Sequence, residues 1–124
     1  MIKPGVQLNK VYEEATKHLQ ANKPELIGHL HKELGWGIGY EIREKRLVLD
    51  EKNKHKFHAG QVFCLRLGLE NLECKGVKGG SQKYALVIAD TLLVTETGAE
   101  ILTSVNKKHS KVILAAHPHS RRLF

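Results

Sequence analysis

The ten residues GWGIGYEIRE, Gly35 to Glu44, mark the point where the apolar period of the chain changes. Before them the spacing is helical; after them it is that of strands. Gly35, Gly37 and Gly39 alternate with larger residues, and Ile38, Tyr40 and Ile42 alternate with polar or small ones. That pattern predicts a close-packed turn leading into a short strand. Helices first and hairpin-linked strands afterwards give an α+β chain with a mostly antiparallel sheet.

Upstream, Leu8, Val11, Tyr12, Ala15 and Leu19 recur at helical spacing, with Lys10, Glu13, Glu14 and Lys17 between them. They predict an amphipathic helix over 6–20. Asn22 to Pro24 breaks it, and Pro24 suits the first turn of a second helix. Leu26, Ile27, Leu30 and Leu34 form the stripe of that helix, and Gly35 falls just past it as a C-terminal glycine. The short break makes an αα unit. Downstream, Leu47-Val48-Leu49 reads as a strand, 50–59 as a charged loop and 61–69 as a strong strand. Residues 74–83, with Gly76, Gly79 and Gly80, read as a turn; 84–95 is a long strand, 96–98 a turn and 99–103 a last strand.

A chain of 124 residues with 41% hydrophobic and 27% charged residues fits one globular domain. Cys64 and Cys74 are too few for a disulfide framework and read as reduced thiols. No apolar run approaches the ~20 residues of a membrane span. The segment MIKPGVQLNK lacks a secretory apolar core. A soluble intracellular protein with no membrane partner is therefore expected. Of the net charge of +7, five positive charges lie in 107–124 without an acidic residue, leaving +2 for the body. Such a basic tail can make weak nucleic-acid contact through phosphates, or simply keep the chain solvated.

The chemistry-bearing residues form no complete motif. His29 and His31, two apart on the expected helix, would point away from each other. His55 and His58 have Lys54 and Lys56 beside them, and His117 and His119 flank Pro118 without a carboxylate. HExxH and CxxC are absent. The glycines near Lys78 lack the phosphate-loop spacing, and GWGIG follows a helix and opens a strand, the reverse of a dinucleotide fingerprint. Cys64 sits inside a strand and reads as an inert thiol; Ser104 has no evident base. No metal and no cofactor are expected.

Four segments in order, GWGIGYEIRE, GQVFCLRLGL, YALVIADTLLV and TETGAEILTS, resemble the pita-bread aminopeptidase fold. The resemblance covers roughly Val6 to Val105 and corresponds to the C-terminal half of that domain, with 1–105 as the peptidase-like part and 106–124 as the basic tail. In active members these segments carry metal ligands, and two further aspartates come from an earlier half of the fold. At the corresponding positions stand Trp36 and Arg43 for two histidines, Arg66 for one glutamate and Ala89 for another. A dinuclear site needs carboxylates and imidazoles to generate hydroxide. Arginine stays protonated and opposes a cation. The resemblance thus implies a degenerate aminopeptidase that is not an enzyme.

The helix PELIGHLHKELG, the spacing GxGxGxExRE, the strand ADTLLV and the segments LVLD and LTSV are similar to the large subunit of the FACT histone chaperone. That resemblance implies a nuclear, chromosome-associated binding module in transcription, replication and repair. It implies core histones and the HMG-box-containing partner subunit as partners. Arg43, Arg46 and Arg66 are the candidate cleft-facing contacts. The competing expectation is that Arg43 pairs with Glu41 or Glu44 and Arg66 with a neighbouring strand. A pita-bread pseudoenzyme acting on RNA or ribosomes is an alternative resting on the basic tail; an active metal-dependent aminopeptidase is another. A half-domain is also expected to expose a sheet edge and an apolar face, favouring low stability or self-association.

Overall fold

A computed structural model describes residues 1–73 and 83–103. Within them one α-helix and a short 3-10 helix precede a five-stranded antiparallel sheet. Helix α1 spans Asn9–Asn22. No side chain caps its start. Instead the Leu8 and Asn9 N–H groups donate to the carbonyls of His55 and Asn53, at 2.8 and 2.9 Å. The charged loop therefore supplies the acceptors that a free helix end lacks.

The second helix is much shorter than its apolar stripe predicts. A 3-10 helix covers Pro24–His29, and Leu30 is already extended at ψ 131°. Leu30 bridges to Leu69, and the His31 N–H donates to the Gly68 carbonyl at 2.9 Å. Sheet pairing thus overrides the helical spacing from Leu30 onward. His31 lies beyond the helix, and Gly35 is not a helix cap but part of strand β1, Glu33–Ile38. The αα unit is corrected to one α-helix and a 3-10 turn. Residues 39–43 are bends rather than the expected continuation of a strand. Tyr40 and Ile42 are fully or mostly exposed there.

Strand β2 spans Glu44–Asp50, β3 Val62–Glu73, β4 Lys83–Val94 and β5 Ala99–Ile101. The sheet order is β2-β1-β3-β4-β5. Strand β3 runs past its expected end through a bulge between Leu69 and Leu72, where Asn71 takes φ +57°. Residues 74–82, Ser104 and the tail with His117 and His119 lie outside the described residues.

The core lies between α1 and one face of the sheet. Leu8 and Val11 meet Leu34, Leu49, Phe63, Leu92 and Val94, with Phe57 reaching in from the loop. Phe57 and Phe63 meet edge to face, 5.0 Å between centroids. Each such side chain contributes roughly 1.5–3 kcal/mol by leaving water. Gly35 makes this packing possible. Its φ is +129°, and a Cβ there would stand 1.9 Å from the Cys64 carbonyl oxygen. Only glycine lets β1 approach β3 this closely.

Candidate functional site

The face of the sheet turned away from α1 gathers the sequence positions singled out above. Trp36 on β1 pairs with Cys64 on β3. Arg66 pairs with Ala89 on β4, and Cys64 with Thr91. Cys64 and Arg66 are two residues apart in one strand, so they share a face. Trp36, Arg66 and Ala89 are thereby brought onto one surface. Phe63, Leu92 and Val94 occupy the other. Asp90, next to Ala89, pairs with Leu65 on the helix side, where the Thr103 hydroxyl donates to its carboxylate.

Arg43 folds back onto the same surface. Its guanidinium lies 5.3 Å from the Trp36 ring centroid. It also forms an ion pair with Glu33, not with Glu41 or Glu44. The Glu44 carboxylate instead accepts the Glu41 N–H at 3.3 Å, inside the bend. Arg66 is half-buried and makes no hydrogen bond or ion pair among the described residues. The expected pairing with a neighbouring strand is not found; its cross-strand neighbour is Ala89.

Arg46 stands apart from Arg66. It joins Arg43 in lining an open groove of about 750 Å³ along β2, together with Lys45 and Lys52. Two acids share the groove, and the fold already engages both. Glu33 holds Arg43, and one Asp50 oxygen accepts the backbone N–H groups of Lys52 and Asn53 at 2.9 and 2.8 Å. Lys45, Arg46 and Lys52 make no ion pair among the described residues. The groove is therefore net cationic. Sequence reasoning missed Lys45 and Lys52, because nothing local shows that the loop after β2 turns back along that strand.

This arrangement does not fit a metal pair. Trp36 and Ala89 offer no donor atom, and the guanidiniums of Arg43 and Arg66 carry fixed positive charge. Among the described residues no three His, Cys, Asp or Glu side chains converge on one point. Cys64 is half-buried, and its ladder neighbours Trp36 and Thr91 are not bases. What the face offers is a flat aromatic ring, a stacked guanidinium and a second guanidinium across the strands. These are groups that hold a peptide through stacking and carbonyl or carboxylate hydrogen bonds.

Residues 1–96 match the family model described as metallopeptidase family M24. The chain is 40% identical to the FACT complex subunit SPT16 of Zea mays, over 89% of this chain and 10% of that protein. It thus spans about a tenth of the length of the curated relatives it matches. Among solved structures it resembles the N-terminal domain of FACT complex subunit SPT16 from Cicer arietinum, with a TM-score of 0.82 and 32% identity. That match covers 90% of this chain and 26% of the other. The prolidase from Pyrococcus furiosus, at 23% identity and TM-score 0.68 over 85% of this chain and 28% of that one, shares the fold.

Proposed function

The chain belongs to metallopeptidase family M24, and from that premise we propose that it is a non-catalytic, peptidase-like binding module of a FACT-type histone chaperone. The observation that carries this reading is the surface shared by Trp36, Arg66 and Ala89, with Arg43 stacked on Trp36. On this reading these positions correspond to metal ligands of active pita-bread aminopeptidases, and none of these side chains can serve as one. What remains is a recognition surface for a protein segment. Core histones and the HMG-box-containing subunit of the complex are its partners, and it works in the nucleus on chromatin. The cationic groove along β2 takes an acidic stretch of such a partner, because Lys45, Arg46 and Lys52 make no ion pair among the described residues. Relatives named as FACT subunits favour this reading over an RNA-binding pseudoenzyme.

The test is capture of core histones and of the partner subunit by the purified chain, alongside Arg66→Glu and Arg46→Glu. Binding that weakens in either variant supports the surface and the groove, respectively. Peptide hydrolysis with stoichiometric cobalt or manganese bound would overturn the non-catalytic assignment.

A further inference from the structure

The loop after β2 turns back along the outer side of that strand and is pinned from two directions. Toward α1, the His55 and Asn53 carbonyls accept the Leu8 and Asn9 N–H groups. Toward β2, the side-chain amide of Asn53 donates to the carbonyls of Arg46 and Val48 at 2.9 and 2.8 Å. The Asn53 Oδ1 accepts the His55 N–H at 3.0 Å, so both ends of the amide are engaged. Neighbouring strands lie about 4.8 Å apart and are joined by N–H to C=O bonds of this length. The Asn53 amide thus stands where the N–H groups of a further strand would have to come. Over Arg46–Val48, the middle of the strand, the β2 edge is closed to strand addition.

What this side of the molecule offers is charge. Lys45, Arg46 and Lys52 are exposed, line the groove and make no ion pair among the described residues. Arg43 lies there too, with Glu33 as its partner. Residues 74–82 and 104–124 contain lysines and arginines but no Asp or Glu, so their side chains bring the groove no counter-charge. A second copy of the chain, at a net charge of +7, is disfavoured by like charge. The groove lining includes no Phe, Tyr or Trp on which bases could stack, unlike a channel for single-stranded nucleic acid.

We propose that the groove reads carboxylate density alone: its ligand is a run of Asp and Glu in a partner protein, held by the Lys45, Arg46 and Lys52 side chains without joining the sheet. This rests on the reading of the groove as an acidic-segment site and adds the mode of recognition. Lysine and arginine carry their charge on long, flexible stems, so they can follow carboxylates at many spacings. Without a ladder of backbone bonds, nothing fixes the register, the direction or the handedness of the bound segment.

The experiment is fluorescence anisotropy of the full chain with labelled oligoglutamate of L residues, its D enantiomer and, as a nucleic-acid arm, oligothymidylate. The two oligoglutamates are expected to bind within about threefold of each other and to lose about tenfold or more in affinity from low to physiological salt. Arg46→Glu and Lys52→Glu are each expected to weaken both peptides in equal proportion. Both side chains are exposed, and either variant suffices if the other does not fold. Binding of the L peptide without the D peptide overturns the proposal, since a strand ladder demands one handedness, and leaves the groove an acidic-segment site. Binding of neither peptide, or binding indifferent to both variants, overturns the proposal together with that reading. Oligothymidylate that binds as tightly as the L peptide and is weakened by the same variants overturns the assignment of a peptide ligand.

Discussion

Arg43 stacks over Trp36 with its guanidinium carbon 5.3 Å from the ring centroid, while the same guanidinium holds Glu33. The contact is half-exposed, so its worth is limited to about 0.5–1 kcal/mol. Arg43→Ala is expected to lower stability by that amount in urea denaturation. Because Trp36 is the only tryptophan, its fluorescence reports the same event. Arg43→Lys keeps the charge but loses the planar stack, and its emission should resemble that of the alanine variant. An unchanged emission in Arg43→Ala would refute the contact.

Gly35 and Gly60 separate a steric requirement from a conformational one. Both have positive φ, but a Cβ on Gly60 meets nothing within 4 Å, whereas one on Gly35 runs into the Cys64 carbonyl. Gly60→Ala is expected to cost about 1 kcal/mol. Gly35→Ala is expected to cost about 4 kcal/mol or more, because backbone must move. Equal urea midpoints for the two variants would contradict the close approach of β1 to β3.

Asn53 guards an edge, and its loss should show as association as well as instability. Asn53→Ala removes the bonds to the Arg46 and Val48 carbonyls and the acceptor of the His55 N–H. A cost of about 1–2 kcal/mol is expected. Larger assemblies should also appear in light scattering. A variant that is destabilised yet no more prone to associate would reduce Asn53 to a loop anchor.

Glu13 gives a small acid-side dependence. The hydrogen bond from the Lys10 ammonium at 2.7 Å, helped by the charges of Lys10 and Lys17, holds its carboxyl below the ordinary glutamate value. A lowered folded-state pKa contributes stability that is complete above the unfolded value and lost as pH falls through the folded one. Thermal melts of Glu13→Gln and the parent should therefore differ most at neutral pH and converge in acid. Both residues are exposed, so the difference is expected to be small and to shrink in salt. A gap that widens on acidification would reverse the assigned sign.

The sequence was most legible where packing and periodicity agree. Strands β3 and β4 and the turn before β5 fall close to where alternation predicts them, because their pleat buries Phe63, Leu92 and Val94 on one side. The stretch from Leu30 to Arg43 was less legible. Leu26, Ile27, Leu30 and Leu34 keep helical spacing, yet Leu30 and Leu34 enter the core from extended chain held by Leu69 and Gly68. Long-range pairing of that kind leaves no local trace. The alternation of Ile38, Tyr40 and Ile42 misled in the other direction, since Tyr40 and Ile42 point into water from a bend. For the candidate site, Trp36, Arg66 and Ala89 converge on one face as their strand positions allow. Arg46 is on the edge strand β2, two places from β3, and shares a groove with Arg43 rather than reaching Arg66 and Ala89.

The Asn53 amide has a consequence for assembly size. A strand that accepts neighbours on both edges can polymerise without limit; one that accepts them on a single edge cannot. With the Arg46 and Val48 carbonyls already held by Asn53, β2 offers fewer acceptors to an incoming strand, so growth of the sheet from that side is disfavoured.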